Sequence, residues 1–400
     1  MIEHWQQVYR HLHAHPELSG EEHATARLVA DELRAMPGWE VTENVGGTGV
    51  VGVLSSGPGP VVWLRADMDA LPVQEVTGLD YASTVPGVMH ACGHDVHVTA
   101  LLGACAELSE NPVPGTVVAL FQPAEETGSG AQQMINDGLL DRFPRPRIVL
   151  GQHVSPLPAG LILSRPGTLM AASDSVRITF LGKGGHASQP HTAIDPLLMA
   201  ASLVVSLQSL TARQTATAAP PVLTAGALHA GSRPNIIADT SEVLLSLRTF
   251  TDGSRERMIE GIQRLAAAEA AAAGADQDPK VEFYDHFPVT ENTPGDTERV
   301  LAALTTAGLP VMPMNNPITG SEDFGAFGTA AGVPSVFWHI GGIDPARFTD
   351  EDGHYMLAEG ALPPRFPSNH SPHFAPDPTQ ALPAAIATML TAARAELTRP

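Results

Sequence analysis

Between Met89 and His97 the chain carries His90, Cys92, His94, Asp95 and His97, which puts three imidazoles, a thiol and a carboxylate into one short stretch. Farther on come the Glu125-Glu126 pair, His153 and His370, each in a loop-like setting. Thiolate and imidazole are ligands for borderline divalent ions, and adjacent carboxylates suit hydrolytic chemistry beside such ions. Any one of these positions fits an ordinary structural histidine or surface acid. Their concentration points to a metal centre.

Cys92 and His94 are two residues apart, so on a helix they would face different ways. They belong on a turn leading into a helix after Gly93. A helix N-terminus is expected there to lower the thiol pKa and favour a thiolate ligand. Glu125 and Glu126 follow the strand-like run Thr116–Phe121, and His153 follows Ile148–Gly151. Ligand sites in open α/β sheets lie beyond such strand ends. One carboxylate of the pair would hold metal and the other would take a proton from an activated water; the sequence does not say which does which. His373 is the rival of His370. Asp67 and Asp69 end the run Val61–Ala66, and either could orient a ligand histidine. His90 and His97 read as supporting or packing residues. In the middle of the chain His186 stands on a glycine-rich turn, Gly184-Gly185-His186. Asn235 and Arg248 are further candidates, since a guanidinium can grip a substrate carboxylate in bidentate fashion. The frame Gly47–Gly52 fits GxGxxG but leads into a strand, so it is declined as a dinucleotide motif.

These residues need elements to hold them. Two N-terminal helices are expected around His15-Pro16-Glu17, with Ser19 and Glu22 as a capping box for the second. Strands at Gly49–Leu54, Val61–Ala66, Thr116–Phe121 and Ile148–Gly151 alternate with helices after Gly93 and at about Gly130–Leu140. That alternation predicts an α/β sheet covered on both faces. From Ser173 the order is strand 176–181, helix 195–212, strands 221–228 and 243–250, helix 252–273 and strand 281–284. This is the split βαβ signature of a ferredoxin-like α+β domain. The α/β texture then returns, with a helix at 297–307, a strand at 335–340 and a last helix at 379–397. The expected organisation is a discontinuous metal-binding domain, 1–172 and 288–400, interrupted by an inserted domain, 173–287.

Composition narrows the function classes. The 400 residues carry 43 acidic against 22 basic side chains, a formal charge of -21. That argues against nucleic acid and anionic membrane surfaces as partners. Apolar runs are broken by polar residues, so no membrane span is expected. Two cysteines make no disulfide framework, and the start lacks a secretory pattern, so a cytoplasmic location is the expectation.

With these residues in view, the chain resembles the di-metal amidohydrolases that include hippurate hydrolase, aminoacylase-like enzymes and indole-acetyl-amino-acid hydrolases, relatives of glutamate carboxypeptidase. Met89–Asp95 together with Phe121–Glu126 carries the resemblance most specifically; matching segments run from His11–Glu17 to His370–Phe374. The resemblance implies a zinc-peptidase-like catalytic domain with a mixed sheet flanked by helices, and an inserted lid and dimerisation domain. It implies that Cys92, His94, Glu126, His153 and His370 hold two divalent ions, with Mn or Zn foremost and Ni or Co also suited to the donors. It implies Glu125 as general acid and base, Asp69 as support for the metal site, and His186 reaching toward substrate. Asn235 and Arg248 match positions of the lid-side carboxylate site. Thr127 departs from the glycine often found after the Glu pair. The implied activity is hydrolysis of N-acyl amino acids by a homodimer. A metal-loaded binding protein on the same scaffold is the alternative, disfavoured by the intact Glu pair. A Cys92 thiol nucleophile ranks third, because it leaves Glu126, His153 and His370 without work.

Overall fold

The computed structural model describes residues 2–216, 220–359 and 361–399. The chain divides into two compact units. The first comprises Met1–Leu169, Glu291–Asn316 and Asp323–Pro400, and the second Met170–Thr290 and Pro317–Glu322. The return of Pro317–Glu322 to the second unit is not visible in the sequence pattern. It follows from backbone bonding, as Ala171 N–H donates to Ile318 O and Gly320 O.

The first unit is built on an eight-stranded mixed sheet. Its order is Trp39–Val45, Gly49–Ser55, Thr116–Gln122, Val61–Asp67, Ile148–Pro158, Ser335–Ile343, Ile162–Ser164 and Val311–Pro313. The four central strands are parallel to one another. They read as near-continuous apolar runs because helices cover both faces of a parallel sheet. Helix His94–Glu110 is the most deeply set, with Val98, Leu101, Leu102 and Cys105 all fully buried. That explains its weak amphipathic pattern: it is apolar on nearly every side. Helices Ile2–Ala14, His23–Ala35 and Ala381–Leu397 add Trp5, Val29, Leu33 and Met389 to the same core.

Three expectations are corrected. The helix expected at about Gly130–Leu140 is two, Gly130–Asn136 and Leu139–Arg142, because Gly138 adopts a left-handed φ of +83°. The strand Ile148–Gly151 continues to Pro158, because its pairing with Ser335–Ile343 continues that far. His153 therefore lies within a strand, not beyond its end. The capping box does not form: the Glu22 side chain makes no cap bond, and the Ser19 hydroxyl donates to Asp69 instead. Glu17 takes over the cap, accepting from Ala24 N–H at 3.0 Å and Thr25 N–H at 2.8 Å.

The second unit has the antiparallel order Val222–Ala230, Thr240–Thr249, Ala172–Leu181, Lys280–Phe287. Helices Pro196–Arg213 and Asp252–Ala272 contribute Met199, Leu203, Leu207, Met258 and Ile262 to its core. With two helices connecting four strands in this order, the unit is a split βαβ arrangement. Among the described residues one helix, Pro196–Arg213, is long and apolar enough to cross a membrane by length and composition alone, a test that core helices also pass. Its apolar excess lies partly in the core and partly on a face where Leu198 is 62% and Val205 73% exposed.

Candidate metal centre

Gly93 makes the turn that joins Cys92 to the helix beginning at His94. Its φ is +88°, and a Cβ there would sit 2.4 Å from Val154 Cγ1. Only glycine satisfies both the left-handed backbone and the close approach. His13 steadies the same turn from the N-terminal helix, with Nδ1 2.6 Å from Asp95 Oδ2 and Nε2 3.2 Å from Glu75 Oε1.

The parallel strands deliver the remaining groups to one end of the sheet. Asp67 pairs in register with Gln122, and the chain beyond Gln122 carries Glu125 and Glu126. His153 comes from the next strand. His370 arrives on a loop tied down by its own N–H to Ala91 O at 2.8 Å, and by Asn369 Nδ2 donating to Cys92 O and Val154 O.

Cys92, His94 and His153 form one group whose donor atoms lie within 4.8 Å of one another; Cys92, Glu126 and His370 form a second. Cys92 belongs to both. His153 Nδ1 lies 2.7 Å from Val154 O, so the ring donates there and turns the Nε2 lone pair toward Cys92 Sγ, 3.4 Å away. His370 Nε2 is 3.4 Å from Glu126 Oε1. His373 is exposed and belongs to neither group. All five ligands named from the sequence are thus brought together.

The surroundings of His94 test whether these residues fit a cation. Its Nε2 is buried without a hydrogen-bond partner, and Asp67 Oδ2, Glu126 Oε1 and Glu125 Oε2 stand around it at 3.6, 3.9 and 4.0 Å. Burial alone would lower the His94 pKa, yet Asp67, Asp69 and Glu126 carry it up to about 10. So many buried acids around one point favour positive charge there, and the soft and hard donors together suit divalent ions. The same field reverses the expectation for Cys92. Burial, then Glu126, Glu125 and Asp67, push its thiol well above the usual value, outweighing the helix N-terminus. A thiolate here needs a bound cation, which counts against the thiol-nucleophile reading.

Asp69 lies beside the candidate ligands: Oδ1 is 3.3 Å from His94 Nδ1, while Oδ2 accepts from Glu126 N–H at 3.0 Å and Ser19 Oγ at 2.6 Å. Asp67 faces His97 Nδ1, and Val154 N–H donates to His97 Nε2 at 2.7 Å. Both His97 nitrogens are thus engaged by groups of the chain itself. His90 is buried, which lowers its pKa to about 4 and keeps it neutral. Behind the strands lies Arg65, almost fully buried. It donates to Gln122 Oε1 and Asp67 Oδ2, each at 2.7 Å, and to Asp323 Oδ1 at 3.2 Å. Arg65, Asp323 and Asn369 were not singled out from the sequence, and Ser19 and Glu22 were read only as a helix cap. No spacing or periodicity marks a residue that acts by hydrogen bonding to another loop.

Thr127 closes the acidic loop on itself, its hydroxyl donating to Ala124 O at 3.1 Å and lying 2.8 Å from Ser129 Oγ.

In the second unit His186 and Asn235 line one open cavity of about 770 Å³, with Gly184, Ser232 and Thr240. His186 is exposed, and its Nδ1 accepts from Ser188 Oγ at 2.7 Å. Arg248 is not part of that cavity. It lies toward the other end of the strand that starts at Thr240, about 26 Å away at the usual rise per residue, and donates to Ser321 Oγ at 2.6 Å. The three substrate-side candidates do not converge within one copy of this unit.

The family model for Peptidase family M20/M25/M40 matches residues 63–362. Thermostable carboxypeptidase 2 of Saccharolobus solfataricus is 38% identical over 85% of this chain and 86% of that protein. Hippurate hydrolase of Campylobacter jejuni is 39% identical over 81% of this chain and 84% of that one. Among solved structures, the Bacillus subtilis YXEP protein, described as a dinuclear metal binding peptidase from the M20 family, superposes with a TM-score of 0.78. It is 28% identical, with 99% of each chain covered.

Proposed function

The chain belongs to peptidase family M20/M25/M40, whose members hydrolyse amide bonds, and from this we infer that it cleaves small N-acyl amino acids with two divalent ions bound. The observation that carries the reading is the pair of donor groups meeting at Cys92, with Glu125 beside them. Cys92, His94 and His153 would hold one ion, and Cys92, Glu126 and His370 the other. When bound, such ions polarise an amide carbonyl and acidify water.

The side chains supply the rest. Glu125 lies among the ligands without belonging to either group that shares Cys92. It accepts the proton of the attacking water and returns it to the leaving nitrogen. Asp69 keeps the His94 ring in place through Nδ1, and His153 is held in its ligating tautomer by the Val154 carbonyl. His186 is the donor assigned to the developing oxyanion, and Asn235 and Arg248 to the substrate carboxylate.

The test is hydrolysis of a panel of N-acetyl, N-benzoyl and indole-acetyl amino acids. Chelator-stripped protein is compared with protein resupplied with Mn or Zn. Loss and metal-dependent return of hydrolysis is the expected result, and the preferred acyl group names the substrate class. Absence of hydrolysis under every metal sinks the reading.

A homodimer through the second unit is part of the same proposal. The exposed Leu198 and Val205 on its helix and the exposed Val222 and Leu228 on its edge strand are the surface that supports it. The wide separation of Arg248 from the His186 cavity also suits a site served by two copies. Val205→Asp is expected to convert the dimer to monomer in sedimentation; a wild-type monomer at micromolar concentration would remove this part.

A further inference from the structure

Two residues ahead of the region matched by the family model reach into the acidic loop of the centre. Glu22 is fully buried although its side chain is ionisable and it stands at a helix N-terminus. Its side chain makes no cap bond to its own helix, a task left to Glu17, and turns to three donors elsewhere. Oε1 accepts from Ala124 N–H at 2.8 Å and from Gly20 N–H at 2.8 Å, and Oε2 accepts from the Thr48 hydroxyl. Ala124 is one of four described non-glycine residues with a positive φ, at +50°. L-residues avoid this region unless the surroundings hold them there. The residue directly after it is Glu125.

Ser19 works on the other side of the pair. Its hydroxyl bonds to Asp69 Oδ2, the oxygen that also accepts the Glu126 N–H. The loop is therefore gripped at Ala124 by Glu22 and at Glu126 by Asp69, and Asp69 is in turn braced by Ser19. Glu125 lies between the two grips.

We propose that the segment Ser19–Glu22 is a positioning clamp for the proton-transferring carboxylate, with Glu22 holding Ala124 left-handed so that Glu125 points among the metal ligands. Glu22 touches neither substrate nor metal in this scheme; it acts through the backbone of the loop. The assignment of a proton-transfer role to Glu125 rests on the function proposed above, whereas the grip on the loop does not. Misplacing a catalytic group by about 1 Å can cost on the order of 10²-fold in rate.

The experiment uses the full-length, metal-loaded protein and measures two things. The first is amide hydrogen exchange of the peptide Phe121–Gly130, which reads the clamp without reference to any activity. The second is kcat and KM on the best substrate of the panel, with bound metal counted in every variant. Glu22→Ala should speed exchange in that peptide by at least about tenfold and lower kcat by about 10- to 100-fold, with KM and metal content unchanged. Glu22→Gln should stay close to wild type in both, since its carbonyl oxygen can keep both N–H bonds and its amide can donate to the Thr48 hydroxyl. Glu22→Asp keeps the charge but withdraws the carboxylate by one methylene. It should behave like alanine, and it decides the matter if the alanine variant does not fold. Unchanged exchange in Glu22→Asp overturns the clamp. Faster exchange with undiminished kcat overturns its bearing on catalysis, as does a kcat loss accompanied by loss of metal. If the wild type hydrolyses nothing, the functional reading has failed, and hydrogen exchange still decides the clamp.

Discussion

Glu125→Gln is expected to retain both divalent ions and the fold while kcat falls by about 10²- to 10⁴-fold, the usual contribution of a positioned acid and base. The expectation follows from where the carboxylate sits. Glu125 Oε2 is 4.0 Å from His94 Nε2, among the ligands, and the residue is only 4% exposed. Glutamine has nearly the same shape and keeps a carbonyl oxygen, so packing and any neutral hydrogen bond survive. What disappears is the capacity to accept a proton and give it back. Metal content by elemental analysis and single-turnover rates are the measurements. A variant with wild-type kcat would remove Glu125 from proton transfer and shift attention to Glu126. A variant that loses an ion would instead make Glu125 a ligand.

The second large effect is on stability. Arg65→Met is expected to cost about 3–5 kcal/mol, read from the shift of the urea unfolding midpoint. Arg65 has 1% of its surface exposed and spends three donor atoms on Gln122, Asp67 and Asp323. Burial would raise the Asp67 pKa, yet Arg65, then His94 and His97, hold it well below the ordinary carboxylate range. Methionine fills the volume and leaves the buried carboxylates of Asp67 and Asp323 without the cation they share. Arg65→Lys should recover only part of the loss, because a single ammonium cannot reproduce the planar fork. The sign with pH is also fixed. A depressed Asp67 contributes stability above its unfolded pKa of about 3.9 and loses it as pH falls toward the folded value, so the gap between wild type and Arg65→Met should narrow in acid. A cost near zero at neutral pH would mean that Asp67 and Asp323 find other partners, and the bracing role assigned to Arg65 would fall.

The candidate ligands were legible because their chemistry is carried by residue type. A thiol, imidazoles and paired acids are uncommon together, and five of them, Cys92, His94, Glu126, His153 and His370, do converge. The strands that deliver them were legible because a covered parallel sheet needs apolar runs, and Val61–Asp67 and Thr116–Gln122 are such runs. The turn at Gly93 was visible as a glycine between two ligands, though not the methyl group of Val154 that excludes any other residue.

Other features depend on partners far away in the chain. Ser19 and Glu22 have the spacing of a capping box, and local propensity favours that use. The folded chain offers them Asp69 and the Ala124 amide instead, and a buried amide without an acceptor costs more than a surface cap contributes. The Cys92 thiol depends on summed potential: the helix terminus was visible in sequence, while the carboxylates that outweigh it come from two separate strand ends. Arg248 and Asn235 look equivalent as candidates in the sequence, and only the folded unit sets Asn235 beside Thr240 and Arg248 toward the far end of the strand Thr240–Thr249. Sequence alone determined which side chains can bind metal and move protons, because that is intrinsic to each residue. Tertiary structure decided which of them meet, in what tautomer and under what field, because those depend on distances that only the packed chain defines.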